Sequence, residues 1–166
     1  MKLSYLSTIL LAIFLFVTFF SINHNPEGHT FHNDLIQEKE IRFSNLRQLT
    51  FSGGNVEAYF SRDREKLIFQ SHDGGFLCDL IYIINIETGS TNMVSTGEGV
   101  TTCSYFVYPD CQKAIYASTH LGNKKCPEKP DYSMGYVWKL YPDYDVFLTG
   151  LKTKSLEKLI SFSGCD

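Results

Sequence analysis

The chain has 166 residues, of which 43% are hydrophobic and 20% charged, and 15 Lys and Arg stand against 18 Asp and Glu for a formal net charge of -3. These fractions are those of a soluble globular protein with one ordinary core. No basic run is present, which excludes a nucleic-acid partner, because phosphate binding needs clustered Lys and Arg to displace counterions.

Lys2 precedes an apolar stretch over 5–22 that is broken only by Ser7, Thr8, Thr18 and Ser21. A positive start followed by an apolar run reads as a secretory signal peptide or signal anchor over 1–22. Ser21 suits a cleavage site, whereas the bulky Phe19 favours retention, so both fates stay open. No Cys follows the run to carry a lipoprotein anchor. Export gives the five cysteines an oxidising compartment in which disulfides form and persist, and the odd number leaves one over.

Residues 23–45 form a linker, polar and rich in His, Asn and Glu at its start, with a turn at Pro26-Glu27-Gly28. His24, His29 and His32 have no second shell to fix them there, so no metal site is expected. From Leu46 onward the pattern is β. Strands are expected over 56–61 and 67–71, with the hairpin Arg62-Asp63-Arg64-Glu65 between them. A third strand over 80–86 is apolar nearly throughout, as a strand packed on both faces would be. Glu87-Thr88-Gly89-Ser90 turns the chain into a fourth strand over 91–95, and Gly97-Glu98-Gly99 leads onward.

The same order then repeats. Strands are expected over 102–107, 114–118, 145–149 and 156–161, with turns at Pro109-Asp110 and Gly150. The segment VEAYFSRDREKLIFQS over 56–71 is echoed by TCSYFVYPDCQKAIYAS over 102–118, so that Phe60 corresponds to Phe106 and Ser71 to Ser118. Self-similarity at roughly 45 residues is the mark of a four-stranded propeller blade. The connection between the second and third strands of the second unit is about 18 residues longer than its counterpart, covering most of 121–142, and a connection of that length is functional or disordered.

SRDREKLIF over 61–69, YPDCQKAIY over 108–116, DLIYIIN over 79–85 and Leu49-Thr50 together resemble the TolB-like β-propeller repeat, a WD40-like Pro-Asp module. The family pattern runs Leu-Thr, then Ser-Pro-Asp-Gly-Lys-Lys-Ile-Ala-Phe, then Asp-Ile-Tyr. The resemblance covers 46–166 and implies a periplasmic or secreted propeller that binds a protein or peptide of the cell envelope. Arg62 departs from the family's Pro, which Pro109 keeps. Arg64 and Cys111 stand where the hairpin asks for a left-handed Gly, a substitution that costs on the order of 1 kcal/mol if the geometry is retained.

The expected fold is therefore all-β: a partial β-propeller of two four-stranded antiparallel blades, about 46–98 and 99–163, plus the start of a third, preceded by an N-terminal hydrophobic helix. Tyr59 and Tyr105 should lie in matching innermost strands of adjacent blades. Propellers close with about 4 to 8 blades, so two alone leave a sheet face uncovered, as in an N-terminal fragment or a chain that self-associates through its incomplete blades.

Strands of a blade alternate in direction, so the connections into the first strand and between the second and third emerge on one face. That face gathers Cys78, Cys103, Cys126 and Cys165. Cys78, Cys103 and Cys126 are the best disulfide candidates, and Cys111, on the opposite face, should be free. His72, Asp73, Asp79, His120, Lys124 and Lys125 fall on the same face, together with Tyr132, Tyr136, Trp138, Tyr141 and Tyr144 of the long connection. Trp138, Tyr136, His72 and His120 are the candidate ligand contacts, because aromatics bury large area at low entropic cost; packing of the insert onto its blade is the competing role. Paired His over a propeller pore can hold a metal, but two ligands are too few, so neither a metal nor any other cofactor is expected. Asp79 and Asp145 open third strands in the family pattern and are structural on that reading.

No Gly-x-Ser-x-Gly elbow, His-Glu-x-x-His or Gly-rich phosphate loop is present, so no catalytic residue is expected. The sequence reads as an exported, non-catalytic module binding an envelope protein or peptide, touching the membrane only through its N-terminal segment. Two alternatives stand beside it: the propeller portion of an envelope enzyme, either a prolyl-oligopeptidase-type peptidase or a sugar-acid lyase, and a truncated relic without function.

Overall fold

In the computed structural model, residues 36–72, 75–128, 130–135, 137 and 141–160 are described, all within the unit Phe31–Asp166. The expected leader over 1–22 and most of the linker over 23–45 lie outside the described residues. Among those described there are eight strands and no helix, and none that is long and apolar enough to cross a membrane.

The strands are β1 (Gly54–Phe60), β2 (Lys66–His72), β3 (Leu80–Asn85), β4 (Thr91–Met93), β5 (Thr101–Phe106), β6 (Lys113–Ser118), β7 (Asp145–Gly150) and β8 (Leu156–Lys158). They form two four-stranded antiparallel sheets, β1-β2-β3-β4 and β5-β6-β7-β8, each in chain order. The outer strands are shorter than the apolar pattern suggests. Val94 and Leu159 continue the ladder with single bonds, to the carbonyls of Ile81 and Val146 at 2.8 Å each, before the chain leaves the sheet.

The repeat is kept in three dimensions down to its irregularities. In β1, Val56 pairs with Gln70 and Tyr59 with Ile68, so Glu57 and Ala58 oppose Phe69 alone. In β5, Thr102 pairs with Ala117 and Tyr105 with Ile115, so Cys103 and Ser104 oppose Tyr116. These are equivalent β-bulges, each opened by a left-handed residue, Glu57 at φ 52° and Cys103 at φ 51°. The hairpins also agree: Arg64 and Cys111 take φ of 64° and 52°, the positions where the repeat pattern favours Gly. Asp63 and Asp110 stabilise those turns alike, each accepting the N–H two residues on at 3.1 Å.

Side-chain alternation decides how the sheets meet. Ile68, Ile81 and Ile83 of the first sheet pack with Phe106, Ala114, Tyr116 and Phe147 of the second in one cluster that also takes in Val94. The Tyr116 and Phe147 rings, opposite each other in register, lie 6.0 Å apart, as do Phe69 and Tyr82 in the first sheet. Burial pushes the Tyr116 hydroxyl up to about 12.

Tyr59 and Tyr105 occupy equivalent positions in β1 and β5, and their rings meet 5.0 Å apart. The seam between the sheets is closed at one end by the Tyr108 hydroxyl, which donates to the Phe60 carbonyl at 2.8 Å. At the other end, the Asp79 carbonyl accepts from the Thr101 N–H at 2.9 Å and its hydroxyl at 3.0 Å. On the far face of the second sheet Ile115, Val146 and Leu148 are half-buried.

Candidate functional site

The long connection between β6 and β7 is anchored at its start by the backbone around Gly99. Thr119 donates its N–H to the Val100 carbonyl at 3.1 Å and takes the Val100 N–H on its hydroxyl at 3.1 Å, while Gly99 donates to the Lys124 carbonyl at 2.7 Å. Gly99 has φ 70°, and a Cβ there would sit 2.7 Å from the Thr119 hydroxyl and 2.9 Å from the Asn123 carbonyl. Only Gly lets the two segments approach so closely. Lys124 adds an ion pair to Glu98 at 3.0 Å.

A disulfide then ties the connection to the first sheet. Cys78, in the β2–β3 loop, bonds to Cys126, with a Cα–Cα distance of 5.5 Å across a sequence separation of 48. Of the three disulfide candidates, Cys103 is the one left out. Its bulge carries the thiol outward, exposed and unbridged, and Cys111 is likewise free. Cys165 lies outside the described residues.

Beside this bridge is a pocket of about 240 Å³. Among the described residues, Gln70 and Asp79 contribute one side of it, Val100, Thr101 and Thr102 at the start of β5 another, and Pro130, Tyr132, Val137, Tyr141 and Tyr144 of the long connection a third. The Tyr141 and Tyr144 rings are 5.9 Å apart.

Polar contacts converge on Asp79. Its Oδ1 meets His72 Nδ1 at 2.8 Å, and its Oδ2 accepts from Gln70 Nε2 at 2.6 Å. Gln70 is nine-tenths buried, and its Oε1 has no hydrogen-bond partner. A buried carbonyl left in that state costs about 1–3 kcal/mol.

The candidate contacts separate. His72, at the end of β2, has a half-exposed side chain and pairs with Asp79 beside the pocket. His120 is only 4% exposed: its ring lies 4.4 Å from that of Phe147 and its Nδ1 is 2.8 Å from the Ser118 hydroxyl. Tyr136 and Trp138 lie outside the described residues. Gln70 and the Val100–Thr102 stretch were not expected in a site. The available signal was a Gln within the apolar run of β2, since a polar side chain buried in a central strand must be paired.

Burial lowers the pKa of His120 from 6.5, against the raising influence of the negative charges of Glu98 and Asp145, while Lys124 adds to the lowering. The folded protein then binds the proton less readily than the unfolded chain. Stability should be flat with respect to this group above pH 6.5 and should fall as pH drops below it. Urea denaturation between pH 7.5 and 5 should show this slope, and His120→Phe should flatten it; an unchanged slope in the variant would rule out a buried neutral imidazole.

Comparison with solved structures places this architecture. TolB from Acinetobacter baumannii superposes with a TM-score of 0.50 at 19% identity, over 73% of this chain and 25% of that one. A putative TolB from Agrobacterium tumefaciens gives a TM-score of 0.50 at 18% identity, over 73% of this chain and 39% of that one. The fold is that of a TolB-like propeller. The chain spans between a quarter and two-fifths of the length of these structures. No protein-family model and no curated protein matches the chain.

In a TolB-like fold, β1 and β5 are innermost strands and β4 and β8 outermost. The pocket therefore lies between neighbouring blades, on the face from which the β2–β3 and β6–β7 connections emerge. Among the described residues no group of three or more His, Cys, Asp or Glu is placed to share a metal ion.

Proposed function

We propose that the chain forms part of an exported, non-catalytic TolB-like propeller that binds a protein or peptide of the cell envelope on the face carrying the Cys78–Cys126 bridge. The observation that carries this reading is that bridge, which holds the longest connection over the seam between two blades, beside a tyrosine-lined pocket. A structural disulfide also supports export, since cytosolic thiols are kept reduced, and agrees with the apolar leader in the sequence. Rigid aromatics on a loop held by a scaffold suit the recognition of a polypeptide.

A photo-crosslinking amino acid in place of Tyr132 in the full chain tests the assignment. It should label a discrete envelope protein, whereas the same group in place of Asp110, in the hairpin on the opposite face, should not. Equal labelling from both positions, or none from Tyr132, would refute this face as the binding surface.

A further inference from the structure

The second sheet repeats the first on the face turned away from the seam. In the first sheet, Ile68, Ile81, Ile83 and Val94 supply the aliphatic side on which the second sheet packs. The ladder registers, and the bonds of Val94 to Ile81 and of Leu159 to Val146, make Ile115, Val146, Leu148 and Leu159 their counterparts in the second sheet. All four are again aliphatic, and Ala117 stands where the first sheet has Gln70. Among the described residues no third sheet lies over them. Ile115, Val146 and Leu148 are half-buried and Leu159 is 48% exposed, whereas Ile68 and Ile81 are fully buried. An antiparallel sheet face left to water carries polar side chains at alternate positions. An aliphatic side chain at each of these places marks the face as a contact surface.

The opposite end of the two-sheet stack differs. Phe69, Leu80 and Ile84 lie on the side of the first sheet turned away from the seam, and at 5%, 1% and 2% exposure they are already covered, while Phe60, Leu67 and Tyr82 around them keep some exposure. Head-to-tail stacking of copies would need that covered centre. A single open face can instead pair with its own copy, and such pairing closes as a two-fold dimer. The charged side chains in register with the open face, Lys113 and Glu157, are exposed and opposite in sign, so the face carries no excess charge to hold two copies apart. We propose that two copies of this chain pack face to face through Ile115, Val146, Leu148 and Leu159, as the sheets of a β-sandwich do. This surface is made by strands and the polypeptide-binding face by connections, so the two readings stand or fall separately.

The test puts a photo-crosslinking amino acid in place of Glu157, which opposes Leu148 in the ladder, in the purified full chain. Isotopically light and heavy protein are mixed and left to exchange, and crosslinked peptides are mapped by mass spectrometry. Peptides that join a light copy to a heavy one should connect position 157 to β6 or β7 of the second copy. The same group in place of Thr91, on the covered side of the first sheet, should give none. Leu148→Glu brings like charges into the interface and should cut the light–heavy yield by about tenfold or more. If that variant does not fold, Leu159→Glu, at a half-exposed position, should have the same effect. Crosslinks confined to single copies, light–heavy peptides that lead from position 157 to the first sheet, or a yield unchanged in the folded Glu variant would each overturn the dimer.

Discussion

Replacing Phe147 with Ala should lower the stability of the fold by about 3–5 kcal/mol, the range for deleting a large aromatic from a packed core. Phe147 is 1% exposed, and its ring contacts Tyr116 from the neighbouring strand and His120 from the long connection. It also belongs to the cluster that joins the sheets through Ile68 and Ile81, so its loss opens a cavity at the interface between blades rather than within one. That loss is comparable to the whole stability of many domains, about 5–15 kcal/mol. Urea denaturation should therefore show a greatly reduced midpoint or no cooperative transition. A change under about 1 kcal/mol would mean that the blades do not share a core, because a fully packed phenyl cannot be removed so cheaply.

The paired change Cys78→Ser with Cys126→Ser should cost about 4 kcal/mol, from the chain-entropy relation applied to the loop this bridge closes. Its 48-residue separation takes in β3, β4, β5 and β6 and returns to the long connection. The unfolded chain regains that freedom when the bridge is removed. The structural consequence should be local to one face: the connection would keep its anchor at Gly99 and Thr119 but lose its tie to the first sheet. Hydrogen exchange should rise across 126–135 while β6 and β7 remain protected. The two effects can be read separately, by denaturation for the entropy and by exchange for the connection. Unaltered exchange across the connection in the serine variant would show that side-chain packing alone holds it down.

The blade pattern was legible because local chemistry repeats at the level of single residues. The register of β2 with β3 and of β6 with β7 follows from alternation, since a slip of one residue would turn Ile68, Ile81, Tyr116 and Phe147 out of the core. The left-handed turns at Arg64 and Cys111 were legible for a different reason: the surrounding motif demands that geometry, and Asp63 and Asp110 impose it with their side chains. The bulges at Glu57 and Cys103 carried no such sign. A bulge of this kind is usually marked by Gly, and here a charged residue and a cysteine take the strained position. The candidate site divides in the same way. Alternating strand direction brings Cys78 and Cys126 to one face, but the choice of Cys126 over Cys103 as the partner depended on where the bulge pointed a side chain.

The amino-acid order by itself determined the strand sequence, the four-stranded units and the face on which the long connection emerges, because periodicity and turn chemistry act between residues close in the chain. Tertiary structure alone decided that His120 is buried against Phe147 while His72 remains half exposed, though the two occupy nearly equivalent places in the repeat. It also decided that Gln70 holds Asp79 and keeps an unpaired oxygen beside the pocket. The physical reason is that burial and hydrogen-bond satisfaction are set by whatever packs against a residue from across the seam, and no local pattern encodes that neighbour.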